Sequence, residues 1–116
     1  MENFSRIYPD WFDYRYVTTI IIEDQVENIG SCSFSSSPVS SVSIRAGVEI
    51  IGNLAFYGCG SLKMIQIPNT VQIIGNQAFG KTALKSVEIP SGVTTIGDGV
   101  FFQCYALTTI TVPNLN

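Results

Sequence analysis

The sequence predicts a mainly β repeat solenoid. Three observations predict it: an apolar residue at a near-constant spacing, a glycine at one fixed place in each spacing, and a phenylalanine shortly after that glycine. The first apolar column reads Val17, Val39, Leu62, Leu84, Leu107, in steps of 22, 23, 22 and 23 residues. The stretch Leu62 to Leu84, LKMIQIPNTVQIIGNQAFGKTAL, is written again downstream as LKSVEIPSGVTTIGDGVFFQCYAL. Upstream it recurs as VSSVSIRAGVEIIGNLAFYGCGSL and, one step earlier, as VTTIIIEDQVENIGSCSFSSSPV. A unit this short cannot enclose a core of its own, so successive units must stack and share one.

Each unit opens with a strand signature, apolar then two free positions, apolar, one free position, apolar: Val17, Ile20, Ile22; Val39, Val42, Ile44; Leu62, Ile65, Ile67; Leu84, Val87, Ile89; Leu107, Ile110, Val112. The last two of each set alternate with an outward residue and favour branched side chains, as half-buried strands do. Pro68, Pro90 and Pro113 follow directly and end the strand, because proline has no N–H to give a ladder. Val26, Ile29, Gly30 begin a second recurring pattern, repeated as Val48, Ile51, Gly52; Val71, Ile74, Gly75; and Val93, Ile96, Gly97. The invariant place of the glycine implies either a positive φ or a close approach of another backbone. Phe34, Phe56, Phe79 and Phe101 form the aromatic column, a packing ladder filling the wide side of the coil.

The frame LxxIxIPxxVxxIGxxAFxxC resembles the BspA-type leucine-rich repeat family across roughly residues 17 to 113. The resemblance implies a leucine-rich-repeat, right-handed coil with a parallel sheet on one face and short turns or 3-10 helices on the other. It also implies a surface or secreted protein that adheres to host proteins or to other microbes. Two upstream units depart from the frame, with Glu23 and Arg45 where proline is expected; no core column is touched. The reading is one domain over 1–116: an atypical half repeat or cap at 1–16, repeats at 17–38, 39–61, 62–83 and 84–106, and a last strand at 107–116. In the cap, Ile7 steps onto the Ile29 column, and Trp11 and Phe12 onto Ser33 and Phe34.

Composition narrows the function. Only 13% of the 116 residues are charged, the formal net charge is −3, and there is no histidine. Histidine is the commonest general base, and the carboxylates are scattered apart from Glu23, Asp24 and Glu27, so no catalytic or metal constellation forms and no cofactor is expected. Six basic residues spread along the chain make no phosphate-binding stripe, which argues against nucleic acid. No run approaches the roughly 18 apolar residues of a membrane span, and no secretory h-region follows Met1. Cys59 and Cys104 share a column with Ser37 and Thr82, about 9 to 10 Å apart across two repeats and beyond disulfide reach, so both are expected as buried thiols. Cys32 falls on another column and is expected to be the more exposed.

Binding is therefore expected on outward side chains. Alternation places Thr19, Met64, Ser86 and Thr109 on one row and Ile21, Ser43, Gln66, Glu88 and Thr111 on the next, with Trp11 and Phe12 of the N-terminal segment as an aromatic docking patch. The expected role is a non-enzymatic protein-binding or adhesion module, with host or neighbouring-cell surface proteins as partners by resemblance. The alternative is a self-associating structural solenoid that forms homo-oligomers through its ends, where the strand from Leu107 to Val112 presents an open sheet edge.

Overall fold

The structure is a computed structural model that describes residues 6–7 and 16–113. Among them there is no helix; the chain winds through short strands joined by turns. In chain order these are β1 (Arg6–Ile7), β2 (Thr19–Ile22), β3 (Asn28–Ile29), β4 (Ser41–Ile44), β5 (Ile50–Ile51), β6 (Ile73–Ile74), β7 (Ser86–Glu88), β8 (Thr95–Ile96) and β9 (Thr109–Thr111). Every pairing is parallel and joins one coil to the next.

Two faces result. The strand signatures that open each unit build the first face, where β2 pairs with β4 and β7 with β9, and a single bridge joins Ser43 to Gln66. The parallel pairing expected there is present, but in two pieces. The glycine-bearing segments build the second face, a continuous five-stranded sheet in the order β1, β3, β5, β6, β8. Its register places Ile7, Ile29, Ile51, Ile74 and Ile96 on one line. Each of these strands is two residues long; after β3, β5, β6 and β8 the turn that follows the glycine bends the chain away at once.

The second face is tight for a reason visible at the glycines. A Cβ on Gly52 would stand 2.7 Å from the Ile29 carbonyl oxygen and 2.8 Å from the Ser31 nitrogen. On Gly75 it would stand 2.6 Å from the Asn53 nitrogen and 2.7 Å from the Gly52 carbonyl carbon. Neither glycine has a positive φ. Of the two demands open at the sequence level, close approach is therefore the operative one: each glycine is the floor on which the neighbouring backbone rests.

Between the faces lies one interior. Phe34, Phe56 and Phe79 are buried and stack with ring centroids 5.6 and 5.5 Å apart, and Phe79 stacks on Phe101 at 6.1 Å. Val48, Leu62, Val71 and Leu84 are fully buried beside them. Burial falls away along the axis: Ile74 is 0% exposed and Ile96, its register partner, 51%. No described coil lies beyond Ile96 to cover it.

The aromatic column is supported by a hydrogen-bonded one. Ser37, Cys59, Thr82 and Cys104 are all buried. The Cys59 thiol donates to the Phe34 carbonyl at 3.1 Å, and the Cys104 thiol to the Phe79 carbonyl at 3.0 Å. The Thr82 hydroxyl also donates to the Phe79 carbonyl, at 2.9 Å. All three cysteines are free, and Cys32, half-buried, is the most exposed of them, as its different column implied. Burial pushes the Cys59 thiol up to about 11 from an ordinary 9.0. A thiolate there would lose its hydration, so the thiol stays protonated.

Candidate functional site

The first face carries the candidate site. In β2 and β4 the buried residues Ile20, Ile22, Val42 and Ile44 alternate with Thr19, Ile21, Ser41 and Ser43, which point to solvent. In the next two coils Met64, Gln66, Ser86 and Glu88 are likewise exposed, as are Thr109 and Thr111 in β9. All nine expected residues that lie in the described part thus stand on one face. Trp11 and Phe12 lie outside the described residues.

Register defines which of them meet. Thr19 lies opposite Ser41, Ile21 opposite Ser43, and Ser43 opposite Gln66. Ser86 lies opposite Thr109 and Glu88 opposite Thr111. Side by side on adjacent strands, such residues are close enough to form one contact surface. The two groups flank a shallow groove lined by Ser41, Ser43, Met64, Gln66, Ser86 and Glu88. Met64 is 73% exposed and Ile21 54%, so two large apolar side chains stand among hydroxyls, an amide and a carboxylate. That mixture suits contact with protein: apolar area to bury, polar groups to fix orientation, and little net charge to steer nucleic acid.

The chain has no histidine, and among the described residues no three Cys, Asp or Glu side chains gather to hold a metal. Also among them, no helix is long and apolar enough to cross a membrane.

Sequence reasoning missed the residues that hold the coils in register. The Asn53 side-chain oxygen accepts the backbone N–H of Asn76, and that of Asn76 accepts the N–H of Asp98, each at 2.8 Å. The signal was available, since Asn53, Asn76 and Asp98 each follow the column glycine by one position. Thr70 ties the coil from Leu62 to its predecessor: its hydroxyl donates to the Val48 carbonyl at 2.8 Å and accepts the Gly47 N–H at 3.1 Å. A lone threonine in a turn gave no such signal.

Comparison with known proteins agrees with this geometry. The BspA type leucine rich repeat region matches residues 5–116, in six copies. A leucine-rich repeat protein from Bacteroides ovatus is 38% identical with a TM-score of 0.81, over 85% of this chain and 26% of that one. A leucine rich cell surface protein from Faecalibacterium prausnitzii is 27% identical with a TM-score of 0.59, over 82% of this chain and 38% of that one. The pneumococcal vaccine antigen PcpA shares the fold, with a TM-score of 0.56 at 18% identity over 80% of this chain and 29% of that one. The chain thus spans well under half the length of each of these solved structures. No curated protein sequence matches it. With the repeat frame, the stacked phenylalanines and the two-faced parallel coil all in place, the chain belongs to the BspA-type leucine-rich repeat family.

Proposed function

We propose that this chain is a non-enzymatic recognition module that binds another protein through its first face, at a cell surface or outside the cell. One observation carries the reading: Thr19, Ile21, Ser43, Met64, Gln66, Ser86, Glu88, Thr109 and Thr111 all project from one side of the coil, with Met64 and Ile21 largely uncovered. Exposed apolar side chains set among polar ones mark contact surfaces. The surface location is supported by the cell surface description of the Faecalibacterium prausnitzii neighbour. Adhesion to a host or neighbouring cell follows as the role such a module would play there.

The test compares the purified chain with the triple variant Met64→Ala, Gln66→Ala, Glu88→Ala for binding to intact cells, before and after the cells are stripped with protease. The expected result is binding that needs cell-surface protein and drops at least tenfold in the variant. Equal binding by the two chains would show that the face is unused. Self-association is the second reading, with the exposed Met64 and Ile21 of the first face as the apolar area that a second copy of the chain would cover. Light scattering decides it: a clean monomer at high concentration ends that reading.

A further inference from the structure

The two pieces of the first face meet at a seam between the coil from Leu62 and the coil from Leu84. Across it the Ala83 N–H donates to the Leu62 carbonyl at 3.1 Å and the Lys85 N–H to the Lys63 carbonyl at 3.2 Å. Beyond Lys85 the strands part: Gln66 bridges back to Ser43, β7 pairs forward with β9, and no ladder joins them to each other. Three further observations mark the same place. Ile65 is only half-buried, while Ile20, Val42 and Val87 of its column are buried. The phenylalanine pair of these coils, Phe79 and Phe101, is the widest of the stack. The groove of the candidate site crosses it, reaching from Ser41 and Ser43 past Met64, Gln66, Ser86 and Glu88 to Thr111.

The turn residues that fasten one coil to the next on this face differ along the chain. Between the first two coils, the Arg45 N–H closes the ladder by donating to the Ile22 carbonyl at 2.9 Å. One coil on, Pro68 has no N–H to give, but the Thr70 hydroxyl clasps Gly47 and Val48 in its place. At the next step Pro90 again lacks the donor, and the position of Thr70 is taken by Gly92, which has no side chain with which to clasp. Both fastenings are missing here, as they are one step on, where Pro113 and Leu115 hold the same places and β7 nevertheless pairs with β9. The second face is intact at this level: the Gly97 N–H donates to the Ile74 carbonyl at 2.8 Å and β6 pairs with β8.

We propose that the solenoid is hinged at this seam: the first face opens and closes between Met64–Ile67 and Ser86–Ile89 while the second-face sheet holds as the axis. The device rests on the proposed use of the first face only for its purpose, since opening would change the spacing between Met64 and Gln66 on one side of the seam and Ser86 and Glu88 on the other. The hinge itself needs no partner to be tested. Local opening is set by how many hydrogen bonds and packed side chains must be released, and between Gln66 and Glu88 no ladder pairing has to be broken.

Amide hydrogen exchange on the 116-residue chain reads it directly. Residues of a parallel strand point their N–H groups alternately to either neighbour, and the N–H of Ile89 goes to Thr111, so the N–H of Glu88 faces the seam. The amides of Ile67 and Glu88 should exchange about 100-fold faster than those of Arg45 and Gly97. Pro90→Ala restores a donor opposite the Ile67 carbonyl, and the Ile67 and Glu88 amides should then slow by about tenfold. Equal protection of all four amides in the unaltered chain overturns the proposal. So does fast exchange of Gly97 along with them, which would mean that the whole coil opens rather than one face.

Discussion

The two long faces of this coil are built from strands of opposite quality and behave in opposite ways. The first face has the longer strands, up to four residues in β2 and β4, yet its pairing is broken. The second face has strands of two residues, yet its pairing runs unbroken through five of them. Strand length does not decide continuity here; the residues beside the strand do. Gly52 and Gly75 let neighbouring backbones close to contact, and Asn53 and Asn76 add a side-chain hydrogen bond at two of the four steps. On the first face Pro68 and Pro90 remove the donors that would close the ladder.

Substitutions distinguish the shared interior from each face. Phe79→Ala strikes the interior that both faces share, and should cost about 4 kcal/mol in chemical denaturation, because a ring buried between two others leaves a cavity that stacked coils cannot collapse into. Gly75→Val attacks the second face alone. Beside the Asn53 side-chain oxygen, the atoms in its way are the backbone of Asn53 and Gly52, which cannot step aside, so a loss of about 3 kcal/mol is expected, read as a lowered melting temperature. A smaller loss would mean that the second face is looser than its close approaches imply.

Asn76→Ala removes one rung, the 2.8 Å bond to the Asp98 N–H, at an exposed position where water can replace it in part. About 1 kcal/mol is expected, together with faster amide exchange at Asp98 but not at Ile67. The smallest effect concerns pH. The Cys59 thiol ionises near 9.0 when unfolded and at about 11 when folded. Between those values the unfolded chain gives up a proton that the folded chain keeps, so stability is fully present below pH 9 and is lost as pH rises through about 11. Cys59→Ser, which places there the residue that Ser37 already supplies in the same column, should abolish that part of the decline when melts at pH 8 and pH 10.5 are compared.

Much of this architecture is legible in the chain because repeat sequence is redundant evidence. Ile29, Ile51, Ile74 and Ile96 occupy equivalent places four times over, so the column is read without knowing the fold, and the structure puts them on one line. The outward rows follow from alternation alone, and Thr19 through Thr111 are exposed as that alternation requires. Less legible was the column of Cys32, Leu54, Gln77 and Gly99. All four adopt left-handed φ values, 61°, 59°, 51° and 61°, but only Gly99 announces it. The others are held there by the neighbouring coil: the Leu54 N–H donates to the Asn76 carbonyl and the Gln77 N–H to the Asp98 carbonyl, each at 2.9 Å. Those bonds offset the strain that such residues incur at positive φ.

The amino-acid order by itself determined the period, the inward columns and the outward rows, since each is a consequence of which side chains avoid water at a fixed spacing. Only the tertiary structure decided which face is continuous and which is split. That outcome depends on whether a donor on one coil finds an acceptor on the next, and both the Arg45 to Ile22 bond and its absence at Pro90 exist only once the coils are stacked.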